Sequence, residues 1–209
     1  MADGVNVCST RHDFKRECKE FAANASCSVI LIVVALILLR PLMVRHILGR
    51  ADAYSALGQL DESKRQCDKA LLIDSESSLA WHQYARLFKV VGDREASYKA
   101  LQRATQADST NWEAHYELGT MYVEDGQYEA AIPYFEQARK VGAQKKGAHQ
   151  TRVGSYHRDV LDMLALCYEK IGDGAKLEFT LEEMRVFYPG HGDAEARLAK
   201  LKGSRTTRR

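Results

Sequence analysis

The chain has 209 residues, 45% of them hydrophobic and 28% charged, with a formal net charge of +2 at pH 7. That balance belongs to an ordinary folded protein with room for one modest domain and an appendage, and it excludes a disordered chain. A nucleic-acid binder would carry a strongly basic folded domain, which the near-neutral total argues against.

The charge is segregated. Residues 1–50 carry seven Lys and Arg against four Asp and Glu, and the tail 203–209 adds Arg205, Arg208 and Arg209. The body between them, 51–202, has 20 basic residues against 24 acidic ones and is mildly acidic. Five cysteines (Cys8, Cys18, Cys27, Cys67 and Cys167) include no CxxC pair. They form neither a disulfide framework nor a metal-ligand set. Cys67 and Cys167 read as buried thiols serving as small apolar residues.

Taken in chain order, residues 1–20 are a charged N-terminal tail. Residues 21–43 read as a single transmembrane helix, because Val29 to Leu39 is uninterrupted VILIVVALILL and 19 residues from Phe21 hold few polar members. About 20 apolar residues span a bilayer core. Arg40 is placed to snorkel at the exit, and Pro41 to mark a helix boundary. A signal peptide would have small residues after its apolar core, where this chain has Arg40-Pro41-Leu42. The expected localisation is therefore a single-pass membrane protein in contact with lipid through 21–43. Arg11, Lys15, Arg16 and Lys19 before the span, against Arg40, Arg45 and Arg50 after it, leave the side of the membrane open.

From residue 44 onward a 34-residue period governs the chain. Glycines recur at Gly58, Gly92 and Gly126, aromatics at Tyr54, Phe88 and Tyr122, alanines at Ala70, Ala104 and Ala138, and polar turns at Asp74-Ser75 and Asp108-Ser109. A unit of two helices and a turn cannot bury its apolar face alone, so such units stack. Repeats are predicted over 44–77, 78–111 and 112–145. After an insertion at 146–157, a fourth covers 158–191 and carries Leu164, Tyr168, Gly172, Leu181 and Pro189.

Within each unit the glycine supplies the turn, and small residues let the helices approach closely. These are Ala51, Ser63 and Ala70, then Ala85, Ser97 and Ala104, then Gly119, Ala131 and Ala138. The fourth unit departs with Leu177 and Met184, so its second helix should sit farther out or pack on a cap. A capping helix is predicted over 192–202, with Ala194, Leu198 and Leu201 as its apolar stripe, followed by a basic tail at 203–209. Pro133 falls inside a predicted helix and should bend it.

These positions resemble the tetratricopeptide repeat family, most closely at Leu118-Gly119, Tyr122, Gly126, Tyr128, Ala131, Phe135 and Ala138. The resemblance implies an all-α fold: a right-handed solenoid of about four helix-turn-helix repeats, here following the transmembrane helix and ending in the capping helix. It also implies a concave groove, lined by the first helix of each repeat, that holds a peptide. Carried over by position, the first wall is Arg45, Leu48, Asp52 and Ser55, and the second is Leu79, His82, Arg86 and Lys89. The third is Glu113, Tyr116, Glu117, Thr120 and Glu124, and the fourth is Asp159, Asp162, Leu166 and Glu169. The cationic second wall and acidic third and fourth walls suit a protein or peptide partner with a basic or mixed-charge segment. Family members that clamp a C-terminal carboxylate place Lys, Asn and Arg where this chain has Leu48, Asp52, Glu113 and Glu117. That subtype is not expected.

Catalysis has no candidate. The chain contains no phosphate-binding glycine loop, HExxH or GxSxG, and its seven histidines lack ligand spacing. No enzyme activity, cofactor, metal, small-molecule substrate or nucleic acid is expected. The function expected is a membrane-anchored scaffold or adaptor that recruits or assembles a protein complex. Two alternatives stay open: a chaperone-like maturation factor of the cytochrome c or pilus-assembly type, and a permanent structural subunit of a membrane complex.

Overall fold

The computed structural model describes residue 34 and residues 38–144, 152–189 and 192–206. Among these residues there are helices and no strands. They are α1 (38–56), α2 (Leu60–Ile73), α3 (Ser78–Val91), α4 (Arg94–Ala107), α5 (Trp112–Glu124), α6 (Tyr128–Gln144), α7 (Arg152–Ile171), α8 (Gly174–Phe187) and α9 (Gly192–Thr206). From α2 onward each helix packs on the next in the chain, as in a solenoid.

The period acts first at the turns. Gly58, Gly92, Gly126 and Gly172 all adopt positive φ, between 72° and 85°. That region strains residues carrying a Cβ. The amide after each glycine donates back to the carbonyl of the recurring aromatic: Gln59 to Tyr54, Asp93 to Phe88, Gln127 to Tyr122 and Asp173 to Tyr168, at 2.8–3.0 Å. These are Schellman turns, which satisfy carbonyls left over at a helix end. Helices α4, α5 and α8 are capped by polar side chains. Asp93 accepts from the Ala96 amide and Asp173 from the Lys176 amide, both at 3.0 Å, and Asn111 accepts from the Ala114 amide at 3.1 Å.

Small residues then set how closely helices approach. Ala51, Ala70, Ala85 and Ala104 are wholly buried. Ser63 Oγ donates to the Ala51 carbonyl at 2.9 Å and Ser97 Oγ to the Ala85 carbonyl at 3.0 Å, so both hydroxyls bridge two helices of one unit. In the third unit Gly119 lies under Phe135; a Cβ there would stand 2.8 Å from the ring. Within the second unit, Ser78 Oγ also donates to the Ala104 carbonyl at 2.7 Å and accepts at 2.8 Å from Nδ2 of Asn111, the residue that caps α5. Two core clusters result, one reaching from Val44 to Met121 and the other from Trp112 to Leu198. Helix α5 contributes to both.

Leu177 and Met184 are buried in one cluster with Ala194 and Leu198 of α9, so the fourth unit's bulkier residues are covered by the cap. Helix α7 starts at Arg152, so residues 152–157 of the expected insertion extend it, while 145–151 lie outside the described residues. Helix α6 continues on both sides of Pro133, and α9 runs past Lys202 to Thr206. Cys67 and Cys167 are free and wholly buried. Burial pushes the Cys67 thiol up to about 12 and the Cys167 thiol to about 11.

The expectation of a single-pass membrane protein is corrected. Among the described residues no helix is long and apolar enough to cross a membrane. Residues 1–33 and 35–37, which include most of the expected 21–43 span, lie outside the described residues. Its described part, from Leu38, instead runs unbroken into the first repeat helix, with Pro41 inside α1 rather than at a boundary. Arg40, expected at a lipid surface, donates from Nε at 3.1 Å and Nη2 at 2.5 Å to the Ile73 carbonyl. It thereby satisfies a carbonyl in the last turn of α2. Val44, two residues past Leu42, is a core residue at 2% exposure. A helix that reads as greasy thus turns Arg40 to the solenoid.

Candidate functional site

Helices α1, α3 and α5 stand side by side as the first helices of three successive units. Between them is a groove of about 690 Å³. Its lining repeats at the 34-residue step, which carries one helix position from unit to unit. Arg45, Leu79 and Glu113 form one row, Leu48, His82 and Tyr116 a second, and Asp52, Arg86 and Thr120 a third. Gly49, Gln83 and Glu117 make a fourth, while Lys89 and Trp112 stand at the margins.

Some of these groups neutralise one another. Asp52 Oδ1 accepts from Gln83 Nε2 at 2.6 Å and from Arg86 Nη1 at 3.2 Å. Both side chains of the Asp52–Arg86 pair are about half exposed, so it adds little stability and chiefly fixes where the charges sit. His82 Nε2 lies 3.2 Å from Glu117 Oε1, although the approach is too oblique for a hydrogen bond. Thr120 Oγ1 donates to the Tyr116 carbonyl at 2.9 Å. Arg45, Lys89 and Glu113 make no ion pair or side-chain hydrogen bond among the described residues. Glu113 is half-buried nonetheless.

Of the residues selected from sequence, His82, Arg86, Lys89, Glu113, Tyr116, Glu117 and Thr120 come together in this groove. So do Arg45, Leu48, Asp52 and Leu79, whereas Ser55, Leu166, Glu124, Asp159, Asp162 and Glu169 are not in its lining. Glu124 sits at the end of α5, where it and Asp125 each accept from Arg94 at 2.7 Å. Asp159 and Asp162 lie on α7 outside the groove lining, Asp159 being 3.7 Å from Arg158. Glu169 pairs with Arg197 of the cap at 2.7 Å and borders a separate cavity of about 260 Å³ between α7, α8 and α9. Of the acidic fourth wall, Glu169 is thereby directed to the cap.

Gly49, Gln83 and Trp112 were not among the expected lining residues. The same 34-residue step from Glu117 would have found the first two. Among the described residues no cluster of His, Cys, Asp and Glu could hold a metal ion.

Tetratricopeptide repeat models match residues 48–77 and 100–132. The chain contains tetratricopeptide repeats. No curated protein matches its sequence. Among solved structures it is similar to PilF of Pseudomonas aeruginosa (18% identity, 80% of this chain, 71% of that one, TM-score 0.59). It is likewise similar to YrrB, a tetratricopeptide repeat protein with an unusual peptide-binding site (20% identity, 78% and 77% coverage, TM-score 0.59). A third is PilW, a type IV pilus biogenesis factor (16% identity, 76% and 68% coverage, TM-score 0.55). At these identities the likeness is one of fold.

Proposed function

We propose that this protein is a tetratricopeptide repeat scaffold that holds a peptide segment of a partner protein in the groove formed by α1, α3 and α5. The observation that carries this reading is the groove itself. It is large enough for several side chains and mixes exposed Leu79 with ionic groups that have no internal partner. Ligand sites commonly combine apolar walls with a few polar groups that fix orientation. Repeat proteins of this kind generally serve as interaction scaffolds, and one neighbour of the same fold has a peptide-binding site. The partner's segment is basic or mixed in charge, because the third unit presents Glu113 and Glu117 to it.

Selection of random dodecapeptides displayed on phage tests the reading. Peptides enriched on the wild-type protein should lose binding to L79R/T120R, in which two long side chains plug the groove, at unchanged helix content by circular dichroism. Enrichment of nothing, or peptides that bind the plugged protein equally well, would refute the groove as the binding surface.

A further inference from the structure

The groove's internal pairing leaves a particular pattern of charge unspent. Asp52 is taken by Arg86 and Gln83, and Glu117, in the fourth row, lies 3.2 Å from His82 Nε2 without a hydrogen bond and adds to the negative charge of α5. What remains along the first row is a cation on α1 (Arg45), an apolar side chain on α3 (Leu79, 46% exposed) and an anion on α5 (Glu113). Arg45 and Glu113 have no partner among the described residues, and Glu113 keeps its carboxylate half-buried without one. A desolvated charge without a partner is costly, so a ligand cation arriving there offsets an existing penalty. Packed helices lie about 10 Å apart, so the two ends of the row are roughly 20 Å apart. At about 3.3 Å per residue, an extended chain covers that distance in about six residues.

We propose that the groove selects bipolar segments: an acidic residue against Arg45 and a basic residue about six positions away against Glu113, with an apolar residue over Leu79 between them. This rests on the groove being the peptide-binding surface. A uniformly basic segment would meet Arg45 with like charge, and a uniformly acidic one would meet Glu113 in the same way. Juxtaposed like charges in an interface select against the wrong partner. Lys89 lies ten residues beyond Leu79 along α3, at another edge of the groove, and takes no part in the row.

Fluorescein-labelled dodecapeptide pools, with Gly/Ser filler around three fixed positions, test this by anisotropy. The pools are Asp–Leu–Lys, Lys–Leu–Asp, Asp–Leu–Asp and Lys–Leu–Lys, with about six residues between the outer positions. One or both bipolar pools should bind about tenfold more tightly than either uniform pool. Glu113→Lys should transfer the preference to Asp–Leu–Asp, and Arg45→Glu to Lys–Leu–Lys. Uniform pools that bind as well as bipolar ones, or a ranking unmoved by Glu113→Lys, overturn the charge rule. If L79R/T120R still abolishes binding of those pools, the groove reading survives without it. Pools that bind L79R/T120R unchanged, or no pool binding at all, remove both.

Discussion

Two glycines inside helices should respond in opposite senses to the same substitution. Gly49 lies within α1 and a Cβ built on it meets nothing within 4 Å, whereas one on Gly119 would stand 2.8 Å from Phe135 Cε1 and 2.9 Å from Cζ. In a helix interior Gly is about 1 kcal/mol less favourable than Ala, so Gly49→Ala should stabilise by roughly 0.5–1 kcal/mol. Gly119→Ala gains the same backbone contribution but must move a ring that is wholly buried and lies beside Tyr116, centroid to centroid 5.8 Å. Overpacking of a filled core costs about 1–3 kcal/mol. The net effect should be a destabilisation of up to about 2 kcal/mol, and the two variants should differ by about 1–3 kcal/mol. Urea unfolding followed by circular dichroism at 222 nm measures this, read as the midpoint shift at constant m. A repeat array can depart from two-state unfolding, so the comparison holds only while all three proteins share one transition shape. Gly119→Ala as stable as Gly49→Ala would refute the claim that close approach of α5 and α6 requires a missing side chain. Phe135→Leu should relieve part of the Gly119→Ala penalty, giving non-additive coupling in a double-mutant cycle.

Asn111→Ala removes the cap of α5 and strips Ser78 Oγ of its donor inside the core. It should cost about 1–3 kcal/mol in the same urea assay. The thiols provide a pH test. The folded pKa of Cys67 is raised from 9.0 to about 12, so its contribution to stability is full below pH 9 and is lost as pH climbs towards 12. Wild type should therefore lose more stability between pH 9 and 11 than Cys67→Ala does. In a background with Cys8, Cys18 and Cys27 changed to Ser, Cys67 and Cys167 should react with a disulfide reagent at pH 8 only as fast as the fold opens. A rapid phase in native protein would contradict their burial.

Most of the architecture was written in the 34-residue period, because the same physical demand recurs at each turn. A positive φ needs Gly58, Gly92, Gly126 and Gly172, and close helix approach needs Ala70, Ala104 and Ala138. The ends of the period were less legible. Leu38, Leu39, Leu42 and Met43 resemble membrane-facing residues in composition, and nothing in the local pattern reveals that Arg40 reaches 33 residues onward to Ile73. The groove's third row could be listed from the period, but the Asp52–Arg86 pair within it could not, since pairing depends on rotamers rather than register. Glu169 was misassigned to the groove for a similar reason: Arg197 approaches it from the cap, which lies outside the repeating pattern.

Trp112 has a double membership, bordering the groove while its indole packs among the C-terminal core residues at 6% exposure. The chain's other indole, Trp81, is engaged elsewhere, beneath Arg103 and bonded to the Ser75 carbonyl. One chromophore therefore looks out on the cleft, and its emission can serve as an unlabelled optical gauge of occupancy, with Trp81→Phe silencing the background.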